Sequence, residues 1–235
     1  MHDKTIGIIG GMGPEATAIL FQKLIKATGA SKDQDHFRIV IDSNPKIPDR
    51  TAAILGKGPS PVKAIVSAGK NLEKIGADIA LIPCNTSHYF FDQIQAGLKI
   101  PLVNMIKELG IFLNNSYPQL KRVGLLATTG TVKTRLYEEY IDGIQLIYPN
   151  DISQEDLVMT AIYGDHGIKS GNTGQRPRQL LIQAANELIA AGADLVIAGC
   201  TEISLALRQE DIEKPLIDPM DIVAKAVINR LNERP

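Results

Sequence analysis

Short apolar runs alternate with amphipathic segments along the chain. The apolar runs are typical of buried β-strands: TIGIIG, FRIVID, ADIALIP, PLVNM, RVGLLAT, IQLIYP, ADLVIAG and PLID. Between them, apolar positions recur at helical spacing, most clearly over Glu15–Ala27, Val62–Ile75, Arg178–Ala190 and Asp221–Leu231. Strands and helices that alternate in this way predict an α/β fold, in which parallel sheets are flanked by helices.

The order of these elements is repeated once along the chain. KTIGIIGGMGPEAT from Lys4 resembles KRVGLLATTGTVKT from Lys121, and PLVNM from Pro101 resembles PLIDPM from Pro215, at offsets of 117 and 114 residues. We therefore predict two similar domains, residues 1–100 with about 213–235 and residues 101–212. We expect pseudo-symmetry to relate them and the active site to lie between them.

The two cysteines of the chain occupy equivalent places in this repeat. GADIALIPCNT contains Cys84 and GADLVIAGCTE contains Cys200, an offset of 116 residues. Each cysteine follows a predicted strand, and ligands of parallel sheets bind beyond the carboxyl ends of strands. Two thiols that approach one molecule from opposite sides can invert a stereocentre, because one takes a proton from carbon and the other returns a proton to the opposite face. A zinc site is not expected, since no histidine pair has ligand spacing.

Composition narrows the classes of partner. The chain of 235 residues is 44% hydrophobic and 22% charged, with a net charge of −1. This balance gives no electrostatic attraction to nucleic acid or to an anionic membrane. No run is long enough to span a bilayer, and the first residues lack the pattern of a signal peptide. We therefore expect a cytoplasmic protein with reduced thiols.

Six motifs, spread in order over nearly the whole chain, resemble the aspartate/glutamate racemase family, and its aspartate racemase branch most closely. They are GGMGPEAT from Gly10, NPKIPDRT from Asn44, PCNTSH from Pro83, ATTGT from Ala127, YGDHGIKSG from Tyr163 and GCTE from Gly199. The resemblance implies racemisation of a small acidic amino acid, aspartate first and glutamate second. It implies no pyridoxal phosphate or other cofactor, and commonly a homodimer. It also implies that Cys84 and Cys200 are the two bases, with Cys84 more often serving the D-enantiomer and Cys200 the L-enantiomer.

The same motifs supply candidate ligands of the substrate. Arg50 and Lys169 lie in Pro/Gly-rich stretches and are candidates for the distal carboxylate, which arginine can bind through two parallel hydrogen bonds. Candidates for the α-carboxylate and ammonium are Met12 (through backbone amides), Asn85, Thr86, Thr129 and Thr201. Glu202 can hold an ammonium or tune a thiol. Helix capping and a solvated loop charge remain competing roles for these residues, and His88 is expected to be structural.

A nucleotide-binding loop is the main competing interpretation. Gly11, Gly13 and Ala16 fit the G-x-G-x-x-A fingerprint of an NAD(P)-dependent oxidoreductase. Pro14 within the loop argues against it, as does the position of Asp42, which lies farther along than the usual spacing of about 20 residues. The sequence is also compatible with a related cysteine-dependent isomerase of another small acid or a hydantoin, and with a protein that binds a small acid without reacting.

Overall fold

Parallel strands and helices alternate in the part of the chain that the structure describes, residues 4–232 of a computed structural model. The strands are β1 (Thr5–Gly10), β2 (Arg38–Ser43), β3 (Ile79–Leu81), β4 (Arg122–Leu126), β5 (Gln145–Ile147), β6 (Leu195–Ala198) and β7 (Leu216–Ile217). The helices are α1 (Pro14–Thr28), α2 (Arg50–Ile54), α3 (Val62–Ile75), α4 (Phe91–Gln95), α5 (Met105–Ser116), α6 (Thr129–Lys133), α7 (Asp151–Ser153), α8 (Thr160–Tyr163), α9 (Gln175–Ala190), α10 (Ile203–Ala206) and α11 (Pro219–Asn232). The predicted α/β class, with parallel sheets flanked by helices, is confirmed.

The chain divides into two compact units. The first contains the residues up to Glu108 and those from Met220 onward, and the second is Leu109–Pro219. The chain therefore passes from one unit to the other within α5 and at the start of α11. The sequence suggests boundaries after residue 100 and at about residue 213, so the first crossing lies 8 residues later and the second about 7 residues later.

Each unit contains one parallel sheet, and the two sheets have related strand orders. The first sheet has the order β2-β1-β3 and the second the order β5-β4-β6-β7. In the first sheet Leu102 forms an isolated parallel bridge with Ala80 of β3, in the place that β7 takes beside β6. The second sheet thus repeats the first, strand by strand.

The predicted strand PLVNM is reduced to that single bridge. Pro101 has no N–H to donate, and Asn104 accepts hydrogen bonds from Ile106 N and Lys107 N through Oδ1, both at 3.0 Å. An asparagine in this role caps the N-terminus of a helix. The capped start of α5 therefore leaves no room for a longer strand.

Each Gly-Ala-Asp triplet ends a helix and leads into a strand. Gly76 has φ +90° and Gly192 has φ +94°, in the left-handed region that favours glycine. The amides that follow return to the helix in the same way, with Ala77 N donating to Leu72 O and Ala193 N donating to Leu188 O, both at 3.0 Å. The repeated triplet is therefore a helix C-cap that turns the chain into β3 or β6.

The aspartate of each triplet ties the coming strand to its neighbour. Asp78 N donates to Thr5 O, and Asp78 Oδ2 accepts from Thr5 N at 2.7 Å. Asp194 makes the same two bonds with Arg122, the one to its Oδ2 at 3.1 Å. The hydrogen bond from Thr5, helped by the charge of Lys4, holds the pKa of the Asp78 carboxyl below its usual value. These paired bonds fix where β3 and β6 begin against β1 and β4.

Helices cover the first sheet on both faces. Ile6 and Ile8 of β1 pack in one apolar cluster with α1 and with Val223 and Val227 of α11. Ile9 packs on the other side in a cluster with residues of α3. In the second unit, α9 packs against β4 and β6. No helix within residues 4–232 is both long and apolar enough to cross a membrane.

Replacing Asp78 by alanine should lower the free energy of unfolding by about 1–2 kcal/mol, because it removes a charge-assisted hydrogen bond to Thr5. Asp194→Ala should cost less, because Asp194 is exposed and its bond to Arg122 is longer. Urea unfolding measures both losses, and Asp142→Ala, at another exposed position, is the control. Similar losses in all three variants would contradict the proposed register contact.

Candidate active site

Cys84 lies just beyond the end of β3, in the first unit. It precedes a 3₁₀ turn at Asn85–Phe90, and only 6% of its surface is exposed. Its carbonyl accepts a hydrogen bond from Ser87 N at 3.3 Å. The short β3 and this turn therefore hold Cys84 at the carboxyl edge of the sheet.

His88 fixes the backbone of Cys84. Its Nδ1 lies 2.9 Å from Cys84 O, and its Nε2 accepts a hydrogen bond from Met105 N at 3.1 Å. Nε2 is therefore the unprotonated nitrogen, and Nδ1 carries the proton that is donated to the carbonyl. Burial lowers the pKa of His88, so the ring stays neutral. The histidine thus has the structural role that the sequence suggests, joining the cysteine backbone to the start of α5.

Arg50 is buried near the loop that follows β1. It is the first residue of α2, whose N-cap Asp49 accepts a hydrogen bond from Ala52 N at 2.7 Å. The guanidinium donates to the carbonyls of Met12 at 3.2 Å and Pro48 at 3.0 Å. Because only 7% of Arg50 is exposed, its charge is held at a fixed place instead of moving with a surface loop.

Met12, Asn85 and Thr86 accompany Cys84 in the first unit. Met12 belongs to the same apolar cluster as Cys84, and its Sδ accepts a hydrogen bond from Ser87 Oγ at 3.6 Å. Asn85 and Thr86 begin the 3₁₀ turn and are both buried. The structure thus brings the predicted residues of this half together around one strand end.

The fold itself requires glycine at position 11. Its φ is +94°, and a Cβ at this position would lie 2.3 Å from the backbone carbonyl carbon of Asn44. Its N–H donates to Thr17 Oγ1 at 2.9 Å. The close approach of Asn44 accounts for the glycine without a nucleotide, so the fingerprint loses its force as an argument for an oxidoreductase.

Cys200 lies beyond the end of β6, in the second unit, within a chain of hydrogen bonds. Its Sγ donates to Glu202 Oε2 at 2.9 Å, and Thr201 Oγ1 donates to the same oxygen at 3.1 Å. Lys169 Nζ donates to the other oxygen, Oε1, at 2.5 Å. Cys200, Thr201 and Glu202 are all buried. Both oxygens of Glu202 are therefore engaged by residues of the same unit.

These contacts set the charges around the second thiol. Burial, and then the negative charge of Glu202, raise the pKa of Cys200 well above its ordinary value, although Lys169 opposes the shift. Burial would raise the pKa of Glu202 as well, but the charge of Lys169 and the hydrogen bonds outweigh it, so the pKa is lowered. In the free protein Cys200 is therefore a thiol beside a carboxylate.

Thr129 lies at the edge of the second sheet that also carries Cys200. Its hydroxyl donates to Glu155 Oε1 at 2.7 Å and accepts from Gln154 Nε2 at 3.3 Å. Its N–H points to Met159 Sδ at 3.3 Å. Sequence reasoning missed these three partners of Thr129, because they belong to a π-helical turn (Gln154–Met159) that departs from the regular helical period.

Within the described chain, no group of three or more histidine, cysteine, aspartate or glutamate side chains is placed to hold a metal ion. The candidates instead form two sets. Met12, Arg50, Asn85 and Thr86 lie with Cys84, and Thr129, Lys169, Thr201 and Glu202 belong to the unit of Cys200.

The family model that matches this chain, and the three similar proteins given with it, are all described as racemases. A model of the family described as Asp/Glu/Hydantoin racemase matches residues 9–227. The broad specificity amino-acid racemase RacX of Bacillus subtilis (strain 168) is 31% identical over 232 residues, which cover 95% of this chain and 96% of that protein. The structure of Picrophilus torridus aspartate racemase is 34% identical, with a TM-score of 0.84 over 98% of this chain and 95% of that one. A glutamate racemase of Shewanella oneidensis is 32% identical over 147 residues, 59% of this chain and 48% of that protein.

The coupling of Cys200 to its neighbours can be measured by alkylation. In a Cys84→Ala background, Glu202→Gln should move the pH profile of iodoacetamide alkylation to lower pH, because a negative charge beside the thiol is removed. Lys169→Gln should move it to higher pH, because a positive charge is removed. Glu210→Gln, at an exposed carboxylate, should leave it unchanged. Shifts of the same sign in the first two variants would contradict the assignment.

The buried neutral ring of His88 should make stability depend on pH. Because its folded pKa lies below the ordinary value of 6.5, the unfolded chain takes up the proton first as the pH falls. The stabilisation is complete above 6.5 and is lost as the pH falls from there toward the folded pKa, with a slope of at most about 1.4 kcal/mol per pH unit. Urea unfolding over this range should show the slope in the wild type and in His166→Gln, at an exposed histidine, but not in His88→Gln. An unchanged slope in His88→Gln would overturn the assignment.

Proposed function

Because the chain belongs to the Asp/Glu/Hydantoin racemase family and is therefore an amino-acid racemase, we propose that its substrate is a small acidic amino acid, aspartate first and glutamate second. One observation carries the proposed racemisation reaction: Cys84 and Cys200 follow equivalent strands of two repeated sheets. A repeat that places one thiol in each half suits a reaction that needs one proton acceptor and one proton donor.

The proposed chemistry is proton transfer by two sulfurs, without pyridoxal phosphate. In one direction the Cys84 thiolate takes the proton from the α-carbon and becomes a thiol. The electron pair left on carbon then takes the proton of the Cys200 thiol from the opposite face, which leaves Cys200 as a thiolate. The reverse direction exchanges the two roles, so atoms and charges balance over either half-reaction.

The protonation of Cys200 supports its role as the donor in the free enzyme. Its raised pKa keeps the proton on sulfur until a carbanion forms nearby. The same raised pKa makes its thiolate a stronger base in the reverse direction, which is useful because a proton next to a carboxylate is far less acidic than a thiol. Preorganised donors and exclusion of water must supply the remaining stabilisation of the carbanion.

The two candidate cations receive different roles in this proposal. Arg50 is held in place by backbone carbonyls and suits the distal carboxylate of aspartate, which favours bidentate binding by a guanidinium. Lys169 is bonded to Glu202, and we assign it to holding that carboxylate ionised. A homodimer and a cytoplasmic location remain predictions, the first carried by the family resemblance and the second by composition.

The decisive test is racemisation of L-aspartate, with L-glutamate and a panel of neutral amino acids, without added pyridoxal phosphate or metal. With the wild-type protein, D-aspartate should accumulate until its amount equals that of L-aspartate, as measured on a chiral column. Cys84→Ala and Cys200→Ala should each lower turnover by at least about 1,000-fold, since each removes a proton carrier that no neighbouring group replaces. Asp142→Ala, at an exposed position, should keep full activity. Near-normal turnover of either cysteine variant in both directions would contradict the two-base mechanism.

A further inference from the structure

The π-helical turn Gln154–Met159 is the least regular part of the second unit. It interrupts a helical stretch that begins with α7 and ends with α8. Single π turns inside helices are rare and are frequently found at functional sites. Here the widened turn lets Gln154, Glu155 and Met159 contact one residue, Thr129. The π turn therefore places its side chains against the residues that follow β4.

The hydrogen bonds of this cluster run in one direction. Gln154 Nε2 donates to Ala127 O at 2.9 Å and to Thr129 Oγ1 at 3.3 Å. Since Ala127 offers only a carbonyl, the group of Gln154 that faces it must be the amide nitrogen. The Thr129 hydroxyl accepts from Gln154, so its single hydrogen is donated in the hydrogen bond to Glu155 Oε1. All of these donors are engaged, and the groups left to bind a partner are acceptors.

One of those acceptors is buried. Gln154 is 95% buried, at 5% exposure, and its Oε1 has no hydrogen-bond partner within residues 4–232. A buried amide oxygen without a donor is costly and uncommon in native proteins. The carboxylate of the next residue, Glu155, which is exposed, contacts the same Thr129 hydroxyl as the Gln154 amide. An oxygen that lacks a donor and a carboxylate, both on side chains that contact one hydroxyl, favour a cationic group with several N–H bonds.

This cluster shares a sheet edge with Cys200. β4 and β6 are neighbours, with Leu126 opposite Ala198, and Gly199 N donates to Leu126 O at 2.7 Å. Ala127 and Cys200 therefore follow the last paired positions of adjacent parallel strands. Ligands bind at this edge in parallel sheets, so a molecule that reaches Cys200 is close to the acceptors around Thr129.

We propose that Gln154 Oε1 and the Glu155 carboxylate bind the α-ammonium of the substrate, with Thr129 orienting Glu155. This inference rests on the proposed function, because it assumes that the racemised molecule is an amino acid. Glu202, another carboxylate near this edge, is less suited to the ammonium, since Lys169, Cys200 and Thr201 already donate to its oxygens. Glu155 would repel an acid without an ammonium, and a hydantoin carries no such cation. The cluster therefore selects amino acids with a free α-amino group.

Paired charge-removing variants test the proposal by steady-state kinetics on L-aspartate, with succinate as an inhibitor that keeps both carboxylates but lacks the ammonium. Glu155→Gln should raise KM for L-aspartate about 10- to 100-fold, the range expected for losing a hydrogen bond to a charged group. The inhibition constant of succinate should stay the same or fall, because a repulsive charge is removed. The adjacent exposed Asp156→Asn should change neither constant by more than about twofold.

Two results would overturn the ammonium site. One is a parallel change of KM and of the succinate constant in Glu155→Gln, which would show a general loss of the binding surface. The other is an equal effect of Asp156→Asn, which would show that only the summed charge of the turn matters. These outcomes are separate from the fate of the proposed function, which is judged by whether the wild type racemises aspartate at all.

Discussion

The register of the parallel strands decides which side chains reach the carboxyl edge of each sheet. In both units a carboxylate fixes that register, because Asp78 bonds both backbone groups of Thr5 and Asp194 bonds both of Arg122. Side chains of a strand alternate between the two faces, so a slip of one residue would exchange the side chains that pack against the helices on one face with those on the other. Because each cysteine lies six residues after its aspartate, the same register places a thiol just beyond the end of β3 and of β6.

Beyond the strand ends, the two units solve the problem of a buried charge differently. Around Arg50 the charge is stabilised by hydrogen bonds alone, since the planar guanidinium donates to backbone carbonyls; we call this the geometric solution. Around Lys169 the solution is ionic, since Glu202 lies close enough for a direct pair. Burial makes an ionised group expensive unless it is paired or hydrogen-bonded, and both arrangements meet that condition. The ionic solution has a chemical effect that the geometric one lacks, because the paired carboxylate also acts on the proton of Cys200.

The features that depend on local pattern could be predicted from the sequence. Apolar runs located the strands, with PLVNM as the exception, and helical spacing located α1, α3, α9 and α11 but not α5. The repeated triplets placed the two cysteines at equivalent strand ends. Features that depend on a side chain reaching across the fold could not. The stretch around Arg50 has the composition of a loop because it is rich in proline and glycine, yet the side chain of Asp49 starts a helix there. The π turn could not be predicted because one extra residue in a helical turn barely changes a hydrophobic pattern.

The order of the two units along the chain has a consequence for how the protein is made. The first unit is assembled from two stretches that flank the second, and its core closes only when α11 packs beside α1 and β1. During synthesis the whole of the second unit has left the ribosome before α11 is available, so the unit translated second can complete its core first. Until then the face of β1 that carries Ile6 and Ile8 is covered by α1 but not by α11, and an incompletely covered apolar face is the kind of surface that chaperones bind and that aggregation exploits.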